Sequence, residues 1–227
     1  MSVPTENIIS FGIALEKQEK CGVREGYNLL NNVSCRSDII EPKKIGLDIM
    51  KIFLLRHASP DRNRTDIPYD IPPGPPLSSK GEKEAAALAV FLKTQGVVKL
   101  YYSPFERTAK TAQIVSAAND IPCVEETKLA EWRGEHETEI HVKARMKSTF
   151  DHAFRECAEI GPIGLVSHGG PIDVLLQELG INKDELAIYK TKFDTTNPLP
   201  PAGAWEVERN ENNHSWNLNL KFIPPTT

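Results

Sequence analysis

The sequence predicts an α/β fold, a three-layer α/β/α sandwich around a mainly parallel sheet. Ile52–Leu55 is an unbroken apolar run, which suits a strand covered on both faces. Such runs alternate with amphipathic helical patterns in the order β, α, β, α, β, α, which calls for parallel strands joined by helical crossovers. Near the C-terminus, two stretches of alternating apolar residues flank a polar turn and read as a hairpin that completes the sheet.

Residues 1–49 show no sustained period of 2 or 3.6 and no repeat, whereas the pattern becomes regular from Met50. The chain is therefore divided into an N-terminal extension, 1–49, expected to be weakly ordered, and one compact domain, 50–227. The first strand, 51–56, runs directly into Arg56 and His57. The segment Ile71-Pro-Pro-Gly-Pro-Pro76 that follows resists helix and central strand, because proline lacks a donor and restricts its predecessor. It reads as a rigid surface loop.

Ser79-Lys-Gly-Glu82 has the form of a capping box, and Ala85, Leu88, Ala89 and Leu92 follow at helical spacing up to Gly96. Val97–Tyr102 reads as the second strand. Ser103-Pro-Phe-Glu106 supplies a second capping box with proline at the first helical position, opening a helix to about Ala118 with Phe105, Ala109, Ala112 and Val115 inward. A third helix covers 137–159 with Met146, Phe150, Phe154 and Cys157 inward. Pro162–Ser167 is the third buried strand and Pro171–Leu179 the next helix. Trp205 and Val207 then alternate with polar residues, as do Trp216, Leu218, Leu220 and Phe222, across the turn 209–213.

A formal charge of −4 provides no broad cationic field, so neither nucleic acid nor an anionic membrane is an expected partner. No apolar run is long enough to span a bilayer and no basic-then-apolar leader opens the sequence, which points to the cytoplasm. Cys21, Cys35, Cys123 and Cys157 have no metal or redox spacing and are read as reduced thiols. His136, His141 and His152 do not fall at i, i+4, and Lys80-Gly81 lacks the Walker spacing, so no metal site and no P-loop are expected.

Arg56 and His57 follow the first strand, Arg107 lies in the first turn of the helix after the second, and His168 follows the third. Ligands of open parallel sheets bind beyond the carboxyl ends of strands, so these four side chains are placed in one crevice. Two arginines and two histidines beside helix N-termini describe an oxyanion site suited to phosphate. A neutral imidazole there can also attack phosphorus.

Leu54-Leu-Arg-His-Ala58 resembles the signature of the histidine phosphatase superfamily, the phosphoglycerate mutase-like fold, where Arg-His-Gly is commonest. Pro76-Leu-Ser-Ser-Lys-Gly81, Ser103-Pro-Phe-Glu-Arg-Thr-Ala-Lys-Thr-Ala112 and Val166-Ser-His-Gly-Gly170 resemble its later blocks in the same order, over roughly residues 50–222. The resemblance implies that His57 accepts the phosphoryl group, that Arg56 and Arg107 hold its oxygens, and that His168 stabilises it from the far side. It also implies that Asn63 approaches the phosphate. Leu129-Ala-Glu131 fits the family's Leu-x-Glu motif, which makes Glu131 the proton donor, with Glu135 as the alternative. Ala58 replaces the usual glycine, Lys110-Thr111 stands where Gln-Thr is typical, and Pro60 and Asp61 replace residues common in mutases.

The expected activity is hydrolysis of small phosphate esters through a phosphohistidine, with neither metal nor cofactor; a phosphoprotein substrate is left open. A phosphoryl mutase and a phosphoryl-binding module without turnover are the alternatives. Residues 60–76 and 132–142 are expected to set specificity. Substrate and oligomeric state are left open.

Overall fold

The structure, a computed structural model, describes residues 50–193, 196–209 and 214–225. The predicted extension 1–49 and the hairpin turn 210–213 lie outside the described residues. The elements are β1 (Lys51–Arg56), α1 (Ser79–Thr94), β2 (Lys99–Tyr102), α2 (Glu106–Asn119), β3 (Cys123–Glu125), α3 (Glu139–Ile160), β4 (Ile163–Ser167), α4 (Gly169–Glu178), α5 (Lys183–Phe193), β5 (Ala204–Arg209) and β6 (Trp216–Phe222). Short 3₁₀ turns at Thr127–Leu129 and Gly134–His136 join β3 to α3.

One six-stranded sheet runs β3-β2-β4-β1-β5-β6. β3, β2, β4 and β1 are mutually parallel, whereas β5 pairs antiparallel with β1 and β6 antiparallel with β5. The mainly parallel sandwich read from the sequence is thus present, with the hairpin as its antiparallel flank.

β1 shows why the sheet needs cover on both sides. Successive side chains of a strand point to opposite faces. Ile52 and Leu54 enter a core with Met146 and Phe150 of α3 and Ile172 and Leu175 of α4. Phe53 and Leu55 enter the other, with Leu88 and Leu92 of α1 and Ala112 and Val115 of α2. Each such side chain, fully removed from water, contributes roughly 1.5–3 kcal/mol.

Phe150 is fully buried, stacked on Phe154 and edge-to-face with Trp216 of β6 at 5.0 Å. Phe150→Ala is expected to cost about 3–5 kcal/mol in urea denaturation, because a ring-sized void opens in that layer. A loss under about 1 kcal/mol would contradict this packing.

The sequence-based reading needs four corrections. Ser78, not Ser79, caps α1, its side chain accepting from the Gly81 amide. Phe105, not Ser103, is the N-cap residue of α2, and its ring has no acceptor for a cap bond; the Ser103 hydroxyl is engaged with His168 instead. In α2 the buried face runs through Thr108 and Thr111 with Ala112 and Val115, and Ala109 is only half-buried. Finally, β3 and α5 were not anticipated: β3 has three residues, and Leu186 is the one buried residue of α5, too little for a periodic signal.

Cys123 and Cys157 are free thiols; Cys21 and Cys35 lie outside the described residues. His136, His141 and His152 are exposed. Among the described residues, no helix is long and apolar enough to cross a membrane.

Candidate active site

The site begins with two neighbouring parallel strands. β1 and β4 pair with Arg56 opposite Ser167, so His57 and His168 are the next residue on each, and their ring centroids lie 5.2 Å apart. The ladder continues past the strand ends, since the His57 amide donates to Ser167 O and the Ser103 amide to Val166 O. The second of these bonds brings the start of α2, and with it Arg107, to the same edge. His168 is the N-cap residue of α4 and leaves its ring free of the helix. A Cβ built on Gly170 would lie 3.9 Å from Glu131 Oε1, so the N-terminus of α4 also abuts this cluster.

His57 is held in one tautomer. Its Nδ1–H donates to the Ala58 carbonyl at 2.8 Å, and its Nε2 accepts from Arg107 Nε at 3.2 Å. Burial, and then the positive fields of His168, Arg107 and Arg56, push its pKa well below the usual histidine value. The ring is therefore neutral, with an in-plane lone pair on Nε2. That is the form a nucleophilic imidazole needs.

Arg107 is fully buried and its guanidinium is the hub of the cluster. Nη1 donates to the Tyr69 carbonyl at 3.0 Å, and Nη2 lies 3.2 Å from both Glu131 Oε2 and His168 Nδ1. The rings of Tyr69 and Phe105 flank it, with centroids 4.3 and 4.6 Å from Cζ. Burial lowers its pKa, but a guanidinium stays charged in proteins. His168 completes the group: Nε2 meets Ser103 Oγ at 2.8 Å, and Nδ1 lies 3.3 Å from Glu131 Oε2. Burial pulls its pKa down, while Glu131 opposes the shift.

Glu131 sits where it can serve this cluster. Burial would raise its pKa, but His168, the Trp132 amide at 3.0 Å and Arg107 outweigh that and hold it at about 2. It is a carboxylate in the free protein. Glu135, the alternative donor, is exposed on the turn Gly134–His136. Arg145 of α3 props the Glu131 segment, donating to the carbonyls of Lys128, Ala130 and Glu131 and pairing with Glu137 through two nitrogens.

Two further predicted residues are less central. Arg56 is buried and donates from Nη1 to Leu199 O at 2.8 Å. Asn63 is exposed on a turn where its amide donates to Asp61, and none of its described contacts reaches the cluster.

Behind His57, the Ala58 amide donates to Thr111 Oγ1, and the Ser59 amide and hydroxyl both donate to the buried Glu84 carboxylate. Ala58 is not among the residues with positive φ, so the alanine that departs from the family pattern costs no backbone strain. By contrast, a Cβ on Gly81 would collide with the Ser59 carbonyl, so glycine is required there for close approach.

The proline-rich segment is a cover. Its base is closed by Asp61 N–H to Pro76 O and a bridge between Pro60 and Leu77, and its crest is pinned by Glu106 N–H to Pro73 O. Tyr69 thereby lies over Arg107. Ser103, Tyr69, Phe105 and Glu84 were not anticipated as site residues, because each also meets a partner far away in sequence, Phe105 through its edge-to-face contact with His168. Beside Glu131 opens a cavity of about 350 Å³ lined by Pro72, Phe105, Glu131, Arg133 and Arg145 among others.

His57, Glu131 and His168 present ligand atoms within 4.8 Å of one another, a set that alone would suit a metal cation. The Arg107 guanidinium contacts all three and already places positive charge there. The arrangement is suited to an oxyanion.

The sequence model of the histidine phosphatase superfamily (branch 1) matches residues 52–138, from β1 past Glu131, which bears out the resemblance. No curated protein matches the chain. Among solved structures, mycobacterial glucosyl-3-phosphoglycerate phosphatase in complex with VO3 is 18% identical, with a TM-score of 0.57 over 78% of this chain and 99% of its own. Bacillus stearothermophilus YhfR is 16% identical, with a TM-score of 0.58 over 77% of this chain and 98% of its own. Phosphoglycerate mutase from Bacillus anthracis is 16% identical, with a TM-score of 0.57 over 77% of this chain and 93% of its own. At these identities the likeness is one of fold, which is phosphoglycerate mutase-like.

Proposed function

From residues 52–138 as a histidine phosphatase segment, we propose that the protein hydrolyses phosphate monoesters through a phosphohistidine on His57. The observation that carries this reading is the His57 tautomer, with Nδ1–H spent on a carbonyl and the Nε2 lone pair facing Arg107.

In the first half-reaction Nε2 attacks phosphorus, a P–N bond forms and the ester P–O bond breaks opposite to it. Arg107, Arg56, His168 and the amides at the start of α4 stabilise the transferring group. The leaving alkoxide takes a proton from Glu131, and its carbon skeleton occupies the cavity beside that residue. In the second half-reaction the Glu131 carboxylate takes a proton from water, water oxygen attacks phosphorus, the P–N bond breaks and inorganic phosphate departs.

Phosphate release from an alkyl and an aryl monoester, both in EDTA, tests this. Glu131→Gln is expected to slow the alkyl ester by about 10²–10⁴-fold, and the aryl ester far less because phenolate leaves without help. Glu135→Gln is expected to leave both unchanged. Equal losses on the two esters, or a loss with Glu135→Gln, would remove Glu131 from the donor role. An isomeric phosphate ester accumulating without free phosphate would instead identify a mutase, and binding without turnover a phosphoryl-binding module.

A further inference from the structure

A phosphoryl dianion must reach Arg107, yet each guanidinium nitrogen already has a partner and four of its five N–H donors are engaged. Nε serves His57 and Nη1 serves the Tyr69 carbonyl, while Nη2 faces Glu131 and His168. His168 Nδ1 faces the same Glu131 Oε2 at 3.3 Å. One carboxylate oxygen therefore bridges the two groups that are best placed to clasp a phosphoryl oxygen.

We infer that the Glu131 carboxylate holds the position a phosphoryl oxygen would take between Arg107 and His168, and that a tetrahedral dianion enters by displacing it, with uptake of one proton from solvent onto Glu131. This rests on the phosphoryl-transfer reading above.

The chemistry follows from charge. A displaced carboxylate loses its contact with Arg107 and faces a dianion at short range in a water-poor site, where like charges do not both persist. Protonation of one Glu131 oxygen relieves this. Its Oε1 retains the Trp132 amide, and its side chain borders the 350 Å³ cavity, where an ester oxygen would receive the proton. A carboxyl fully ionised in the free protein thus becomes an acid only when a phosphoryl group is present.

The other charged or titratable groups around Glu131 are Arg107 of α2, His168 at α4 and His57 at β1, Arg145 of α3, Arg133 and Glu137 at the cavity, and Asp70 beyond Tyr69. Of these, His57 and His168 are the groups that could also gain a proton near neutrality. The test must separate them from Glu131.

Tungstate is a suitable probe, being a tetrahedral dianion with no titrating proton of its own near neutral pH. Calorimetry in two buffers of different ionisation enthalpy should show uptake of about one proton per tungstate by the wild-type protein. Glu131→Gln should bind tungstate about tenfold more tightly with uptake near zero. Glu131→Ala should show the same loss of uptake, which covers the case in which a glutamine amide still pins Arg107. Circular dichroism verifies that both variants are folded.

Wild-type binding without proton uptake, or uptake that persists in both variants, would overturn the inference and assign any proton to a histidine. Failure of all three proteins to bind tungstate would instead overturn the phosphoryl-site reading on which it rests.

Discussion

His57→Ala is expected to lower turnover by about 10⁵-fold or more, because in the proposed reaction it removes the atom to which phosphorus bonds. His168 is not expected to replace it, because its Nδ1 also faces the Glu131 carboxylate at 3.3 Å, whereas Nε2 of His57 faces the Arg107 guanidinium. The measurement is phosphate release together with trapping of an acid-labile, alkali-stable radiolabel, present on the wild-type protein and missing from the variant. Residual turnover above about one part in a thousand would show that His57 is not the acceptor.

Arg107→Ala has the second large effect, on two observables. The guanidinium orients Nε2 of His57, neutralises Glu131 and faces the transferring group, so kcat/KM should fall by about 10³–10⁵-fold. Removing the cation also leaves the largely buried Glu131 carboxylate with only His168 and the Trp132 amide, at a cost on the order of 3 kcal/mol in urea denaturation. Arg107→Lys keeps the charge but loses the fork and the stacking between Tyr69 and Phe105, so it should recover stability better than activity. Tungstate affinity unchanged in Arg107→Ala would rule out this arginine as the phosphoryl clamp.

Much of the site was legible because its parts sit at the ends of strongly patterned elements. The apolar run of β1 located His57, and the run of β4 located His168. What was missed was set by distance along the chain. Ser103-Pro-Phe-Glu106 has every local mark of a helix cap, yet the Ser103 hydroxyl bonds to a histidine 65 positions away. Proline content made 71–76 a stiff loop, but stiffness says nothing of where the loop lies, and only the fold places the adjoining Tyr69 over Arg107. Glu82 reads as the capping glutamate of α1, whereas Glu84, two residues on, turns inward to hold Ser59. Nor could spacing decide between Glu131 and Glu135, because what separates them is Arg145 binding the carbonyls before and at Glu131.

The pairing of Arg56 with Ser167 reaches further than the topology alone suggests. Strands bonded side by side stand about 4.8 Å apart, and the rings of His57 and His168 are separated by 5.2 Å. The pitch of the sheet thus sets the separation of the two rings, between strands that are each paired on both sides. The two histidines behave as fixed jaws on a common bed, whereas 60–76 and 132–142 reach the cluster from loops, through the Tyr69 carbonyl on Arg107 and the Trp132 amide on Glu131. If the proposed reaction holds, changes in those loops that spare these contacts would alter the grip on the alcohol without resetting the spacing of the two rings.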